Sequence, residues 1–194
     1  VVGGGDPTIS GRDFLGDPFG VFRQWAAVLK RQGVARVEGD LFLDHGYFPP
    51  PLRHPDWDPA KNLNWYQVPI AALGFYENAM QVRTRPAEST GGRAEIELIP
   101  PVPFYEVENR VETTSSWRQH RLGVRHDMAG GGELEVWGGV FRRAPYLDAY
   151  VAVGDPVGTG IVPSLHLPGG NITGLCGYNA AAVIAEDLQV ERWW

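Results

Sequence analysis

Hydroxyls that could act as nucleophiles are few in this chain: Ser10, Ser89, Ser115, Ser116 and Ser164. A serine hydroxyl attacks poorly until a neighbouring base takes its proton, and lysine or histidine is the usual base. The only lysines are Lys30 and Lys61, and the positions three residues before them hold Ala27 and Asp58. No serine is followed two residues later by asparagine, Lys-Thr-Gly does not occur, and no Gly-x-Ser-x-Gly elbow frames any serine. These serines read as surface hydroxyls.

Two other constellations invite chemistry. Asp44, His45, His54, Asp56 and Asp58 fall within one stretch, yet only His54 and Asp58 stand at i, i+4, in a proline-rich segment that does not read as a helix, and no HExxH element supports them. Polar loop residues and caps account for them, so no metal site is expected. Val1-Val2-Gly3-Gly4-Gly5 looks like a strand running into a dinucleotide-binding turn. That fingerprint needs a third glycine where Thr8 stands, and Pro7 interrupts the helix start. A glycine-rich structural turn is the better reading, and no cofactor is expected.

Composition narrows the class. The chain has 194 residues, 43% hydrophobic and 21% charged, which suits a globular fold with a real core. Its formal net charge of −6, with scattered basic residues, argues against nucleic acid or an anionic membrane as partners. No apolar run approaches the roughly 20 residues that span a bilayer. The single Cys176 excludes an internal disulfide. The chain opens without an initiating methionine or a signal peptide and reads as a piece of a longer protein.

In chain order, Asp17-Pro18 predicts a helix from Pro18 to Gln32, capped by Asp17 and ended by Gly33. Phe22, Trp25, Ala26 and Leu29 give it one apolar stripe. Arg36 to Asp44 reads as a strand, and His45 to Asn64 as a proline-rich loop. Tyr66 to Asn78 is the longest apolar run of the first half and reads as a buried connector ending in a turn. Met80, Val82 and Thr84 then alternate with Gln81, Arg83 and Arg85, and Ala94, Ile96 and Leu98 with Glu95 and Glu97. The arginines of the first strand should face the glutamates of the second across a Glu88–Gly92 loop. Val107–Thr113 is a further strand, and Leu122–Val124 should pair with Leu134–Val136. The fold class expected is α+β. A mixed lobe spans 1–78, a β-rich lobe of antiparallel hairpins spans 79–157, and a divergent tail with a short helix over Asn179–Leu188 spans 158–194.

Four motifs in order carry a resemblance. They are Gly4-Gly5-Asp6-Pro7; Val37-Glu38-Gly39-Asp40-Leu41-Phe42-Leu43-Asp44; Tyr66 through Pro69 to Asn78; and the strand that follows it. From about 1 to 156 the chain resembles the D-alanyl-D-alanine carboxypeptidase/endopeptidase family of low-molecular-mass penicillin-binding proteins. The resemblance implies a region inserted between the catalytic motifs, with Gly4, Gly5, Asp6, Pro7, Gly39, Asp40, Asp44, Tyr66, Pro69 and Asn78 as structural motif residues. It implies an accessory, non-catalytic role toward a peptidoglycan peptide, alongside the missing catalytic module of the same protein, in the periplasm or another extracytoplasmic space. A stand-alone envelope-binding module is the alternative. The segment Gly169–Ala180 resembles one end of a flavin-enzyme turn, without the fingerprint that would complete it.

Overall fold

Both ends of the helix are set by residues legible in the sequence, one as expected and one not. The structure, a computed structural model, describes residues 2–35, 44, 46–49, 51–57, 65–101, 105–126 and 132–153. Helix α1 spans Gly20–Arg31. Gly33 takes φ +82, and the amides of Gly33 and Val34 donate to the carbonyls of Lys30 and Leu29. This is the Schellman closure, for which glycine has no Cβ penalty. The start is a correction. Asp17 does not cap the helix; Phe19 holds the cap position. The Asp17 carboxylate instead accepts the Phe19 amide at 3.0 Å and pairs with Arg23. It is spent on the lead-in turn, so α1 begins at Gly20 rather than Pro18. Along the stripe, Phe22 and Ala26 are fully buried while Trp25 and Leu29 are half-buried.

Six strands follow among the described residues: β1 (Ala79–Arg85), β2 (Glu95–Ile99), β3 (Glu106–Thr114), β4 (Arg121–His126), β5 (Glu133–Phe141) and β6 (Leu147–Ala152). They form two three-stranded sheets, ordered β2-β1-β6 and β3-β5-β4. The first is antiparallel throughout, with Arg83 opposite Glu97 on one side and Asp148 on the other. In the second, β4 and β5 are antiparallel, with Val124 opposite Val136. The expectation of antiparallel hairpins throughout fails at β3, which pairs with β5 in parallel from Glu106/Glu133 to Thr114/Phe141. The reason is topological. β4 turns back along the far edge of β5, so β3 and β5 run the same way and β3 takes the free edge.

The inward residues of both sheets meet in one buried cluster. Met80, Val82, Val111, Leu134, Val136 and Val140 are 0% exposed, and Ile9, Phe22 and Phe75 join them from the preceding segments. Fold class is therefore α+β, weighted toward β. The sheets are stitched at both margins. Arg93 bridges Glu112, and the Gly91 and Thr113 backbones exchange hydrogen bonds with neighbours across the seam. At the other margin His126 Nε2 donates to the Ala152 carbonyl at 2.8 Å. The expected strand over 36–44 lies outside the described residues except for Asp44, which bridges Val2 in parallel. The tail from 158 and its expected helix also lie outside them. Among the described residues no helix is long and apolar enough to cross a membrane.

One pH dependence follows from the fold. His120 Nδ1 accepts the Phe141 amide at 3.1 Å, a bond only the neutral ring can make. Burial lowers its pKa from the ordinary value of 6.5. A depressed folded-state pKa means the stabilisation is present above the unfolded pKa and is lost as pH falls through the folded one. Thermal melts from about pH 7 to 5 should therefore lose stability, and His120→Gln should flatten that loss. An identical slope in wild type and variant would assign the pH dependence elsewhere.

Candidate functional site

Segments far apart in sequence converge on the N-terminal glycines. The Gly3 amide donates to the Asp44 carbonyl and the Gly5 amide to the Ala72 carbonyl, both at 2.8 Å. The approach is close enough to require glycine: a Cβ on Gly3 would lie 2.5 Å from the Ala72 carbonyl carbon. Gly5, at φ +78, would drive a Cβ into the Phe48 ring. Gly4 is exposed, with nothing within 4 Å of a built Cβ. Asp6 accepts the Thr8 hydroxyl at 2.7 Å and its amide at 2.8 Å. The hydroxyl bond first, then the amide, hold the Asp6 carboxyl below its ordinary range. Pro7 is exposed beside it. Asp44 Oδ1 accepts the Gly46 amide at 2.9 Å. Gly39 and Asp40 lie outside the described residues.

The connector that meets these glycines carries an unusual backbone. Tyr76, Glu77 and Asn78 take φ of 50, 60 and 51, three successive left-handed non-glycine residues. Such a conformation costs roughly 1–2 kcal/mol per residue and needs support. Asn78 supplies much of it: Nδ2 donates to the Pro69 carbonyl at 3.1 Å, and Oδ1 accepts the Phe75 amide at 3.3 Å. The Tyr76 amide donates to the Ile9 carbonyl and the Val153 amide to the Asn78 carbonyl. Arg12 and Glu77 add a two-bond ion pair. Ala72 is buried, whereas Ala71 and Leu73 are half-buried. Tyr66, in a short 3₁₀ turn over Trp65–Gln67, is exposed with its ring edge-on to Trp65.

Of the residues that could do chemistry, Ser10 and His54 are occupied locally. Ser10 is buried and its Oγ accepts the Arg12 amide. Ser89 and Ser115 are exposed and Ser116 half-buried, and Ser164 lies outside the described residues. His54 Nδ1 accepts the amide of Asp56 within its own turn. Among the described residues no three His, Cys, Asp or Glu side chains come together to hold a metal ion. His45 and Asp58 lie outside them.

A cluster that sequence reasoning missed lies on the outer face of β1 and β6. Arg83 clamps Asp148 through Nε and Nη2, both at 2.9 Å, and its guanidinium sits 4.2 Å from the centre of the Tyr146 ring. Gln81 donates to Asp148 at 2.7 Å and accepts the Tyr76 hydroxyl at 3.3 Å. Asp148 raises the Arg83 pKa further above its usual range, chiefly through these hydrogen bonds. Burial first, and then the charge of Asp148, push the Tyr150 phenol up. The Tyr146-x-Asp148-x-Tyr150 alternation was the available signal, but nothing local shows that this strand pairs with β1. Gln81, held between the Tyr76 hydroxyl and Asp148, is only 5% exposed where a half-buried strand was expected.

Comparison with known proteins agrees with this architecture. Residues 1–187 match the model of the D-Ala-D-Ala carboxypeptidase 3 (S13) family. The D-alanyl-D-alanine carboxypeptidase of Actinomadura sp. (strain R39) is 27% identical over 162 residues, which cover 80% of this chain and 28% of that protein. The crystal structure of penicillin-binding protein 4 from Haemophilus influenzae superposes with a TM-score of 0.58 at 20% identity, covering 97% of this chain and 35% of that one. That likeness speaks for the fold. The chain thus spans about a third or less of the length of these relatives. With nearly its whole length matched, this chain belongs to the D-Ala-D-Ala carboxypeptidase 3 (S13) family.

Proposed function

We infer that the chain is the accessory region of a serine-type D-Ala-D-Ala carboxypeptidase/endopeptidase acting on peptidoglycan. One observation carries the reading: the family match runs over 1–187, yet the sequence holds no Ser-x-x-Lys, Ser-x-Asn or Lys-Thr-Gly. The region flanks the catalytic module of the same protein and helps to position the cell-wall peptide, in an extracytoplasmic space. The structural junction of Gly3, Gly5, Asp44, Ala72 and Asn78 supports a scaffold role, because each of these residues spends its polar groups on neighbouring backbone.

The test is covalent labelling. The 194-residue chain incubated with a fluorescent penicillin should form no adduct, because no serine is followed three residues later by a lysine to take its proton. A stoichiometric adduct on any serine, located by mass spectrometry, would overturn the accessory reading.

A further inference from the structure

We propose that the outer face of β1 and β6 is a stacking site for an uncharged amino-sugar oligosaccharide, the glycan part of the polymer in the reading above, on which this inference rests. Two features of that face carry it: large rings left in water, and charges that are already spent. Tyr146 is 44% exposed and Tyr150 49%, on either side of Asp148. The 3₁₀ turn bearing Trp65 (53%) and Tyr66 (58%) packs against the same strand. Exposed rings grouped in this way mark an interaction surface rather than chance exposure.

The charge pattern chooses the occupant. Arg83 is clamped to Asp148, Arg85 pairs with Glu97 at 2.6 Å, and Glu77 is held by Arg12. Each ionic group on β1 and β6 is paired with a neighbour, so a charged peptide finds no unpaired partner on these two strands. What remains are aromatic faces and phenol hydroxyls. Linked sugar rings match that chemistry: their C–H faces lie on aromatic rings, and their hydroxyl and acetamido groups exchange hydrogen bonds with phenols and amides. The Tyr76 hydroxyl is already donated to Gln81, while desolvation and then the charge of Asp148 raise the Tyr150 pKa and keep its hydroxyl protonated as a donor. The Arg83–Asp148–Gln81 network fixes the floor beneath the rings, and the left-handed turn brings the Tyr76 hydroxyl to its end. A rigid platform of this kind limits the ordering cost of binding.

The probe is chitotetraose, a neutral β-1,4-linked N-acetylglucosamine tetramer, titrated into the 194-residue chain and followed by backbone amide shifts. We expect saturable shifts confined to β1, β6 and the 65–67 turn. Tyr150→Ala should bind about tenfold more weakly at an unchanged melting temperature, as expected for losing one ring contact. Tyr150→Phe should keep most of the affinity, because the ring remains. Absence of saturable shifts, or equal binding by Tyr150→Ala, would overturn the proposal. So would a D-Ala-D-Ala-terminated stem peptide that produces the same shifts at lower concentration. The readout is independent of penicillin labelling: a chain that forms no adduct and binds no chitotetraose keeps the accessory assignment and removes this inference alone.

Discussion

Phe22→Ala should destabilise the protein by about 3–5 kcal/mol, and Trp25→Ala by clearly less. Phe22 is 0% exposed, and its ring lies 5.2 Å from Phe75 and 5.4 Å from Trp25, centre to centre. Phe75 in turn stacks on Phe19 at 5.9 Å. Truncating Phe22 removes the ring that ties α1 to this set and leaves a cavity that the surrounding sheets close only in part. Trp25 sits on the same stripe but keeps part of its surface in water, so less transfer energy is lost with it. Urea melts of the two variants would test the ranking. A larger loss for Trp25→Ala would mean that α1 is rotated from the position described.

Asn78→Leu should cost about 3 kcal/mol, the second large effect. The substitution orphans the Phe75 amide and the Pro69 carbonyl, at roughly 1–3 kcal/mol for unmade bonds. It also puts a branched side chain at φ 51, where asparagine is among the few tolerated residues. Two further variants divide these contributions. Asn78→Gly relieves the backbone and loses only the amide, so it should fall between wild type and Asn78→Leu. Asn78→Asp keeps an acceptor for Phe75 but no donor for Pro69. If all three variants melt together with wild type, the left-handed turn is held by its other contacts and the amide is idle.

What was legible in the sequence divides by range. Period-two alternation marked Met80, Val82 and Thr84 as inward, and all three are fully buried. Gly33 marked the helix end, and the Glu88–Gly92 loop marked the β1–β2 connection. Each of those signals acts over a few residues. The Arg85–Glu97 pair was anticipated from facing strands, whereas Arg83 turned to Asp148 on a strand whose partnership no local pattern records. The parallel placement of β3 was missed for the same reason: pairing direction depends on where β4 returns, not on the composition of β3. At the candidate site, the glycine motif and Asn78 were singled out from sequence, while the aromatic face was not. Its rings come from residues 65–66 and 146–150, and only the fold brings them together.

The pairing of β1 with β6 also bears on how the chain reaches its native state. Ala79 cannot find its partner until Ala152 has been made, and β2, β3, β4 and β5 all lie between them. Contacts of such long sequence separation slow folding, because the chain loses its freedom before the contacts repay it. During synthesis β1 can hold β2 early, but its other edge waits, with Met80 and Val82 uncovered, for the last described strand to emerge. That waiting edge is the chain's point of exposure to aggregation. Truncations ending before Leu147 should therefore be recovered as insoluble protein, even though they retain α1 and five of the six strands.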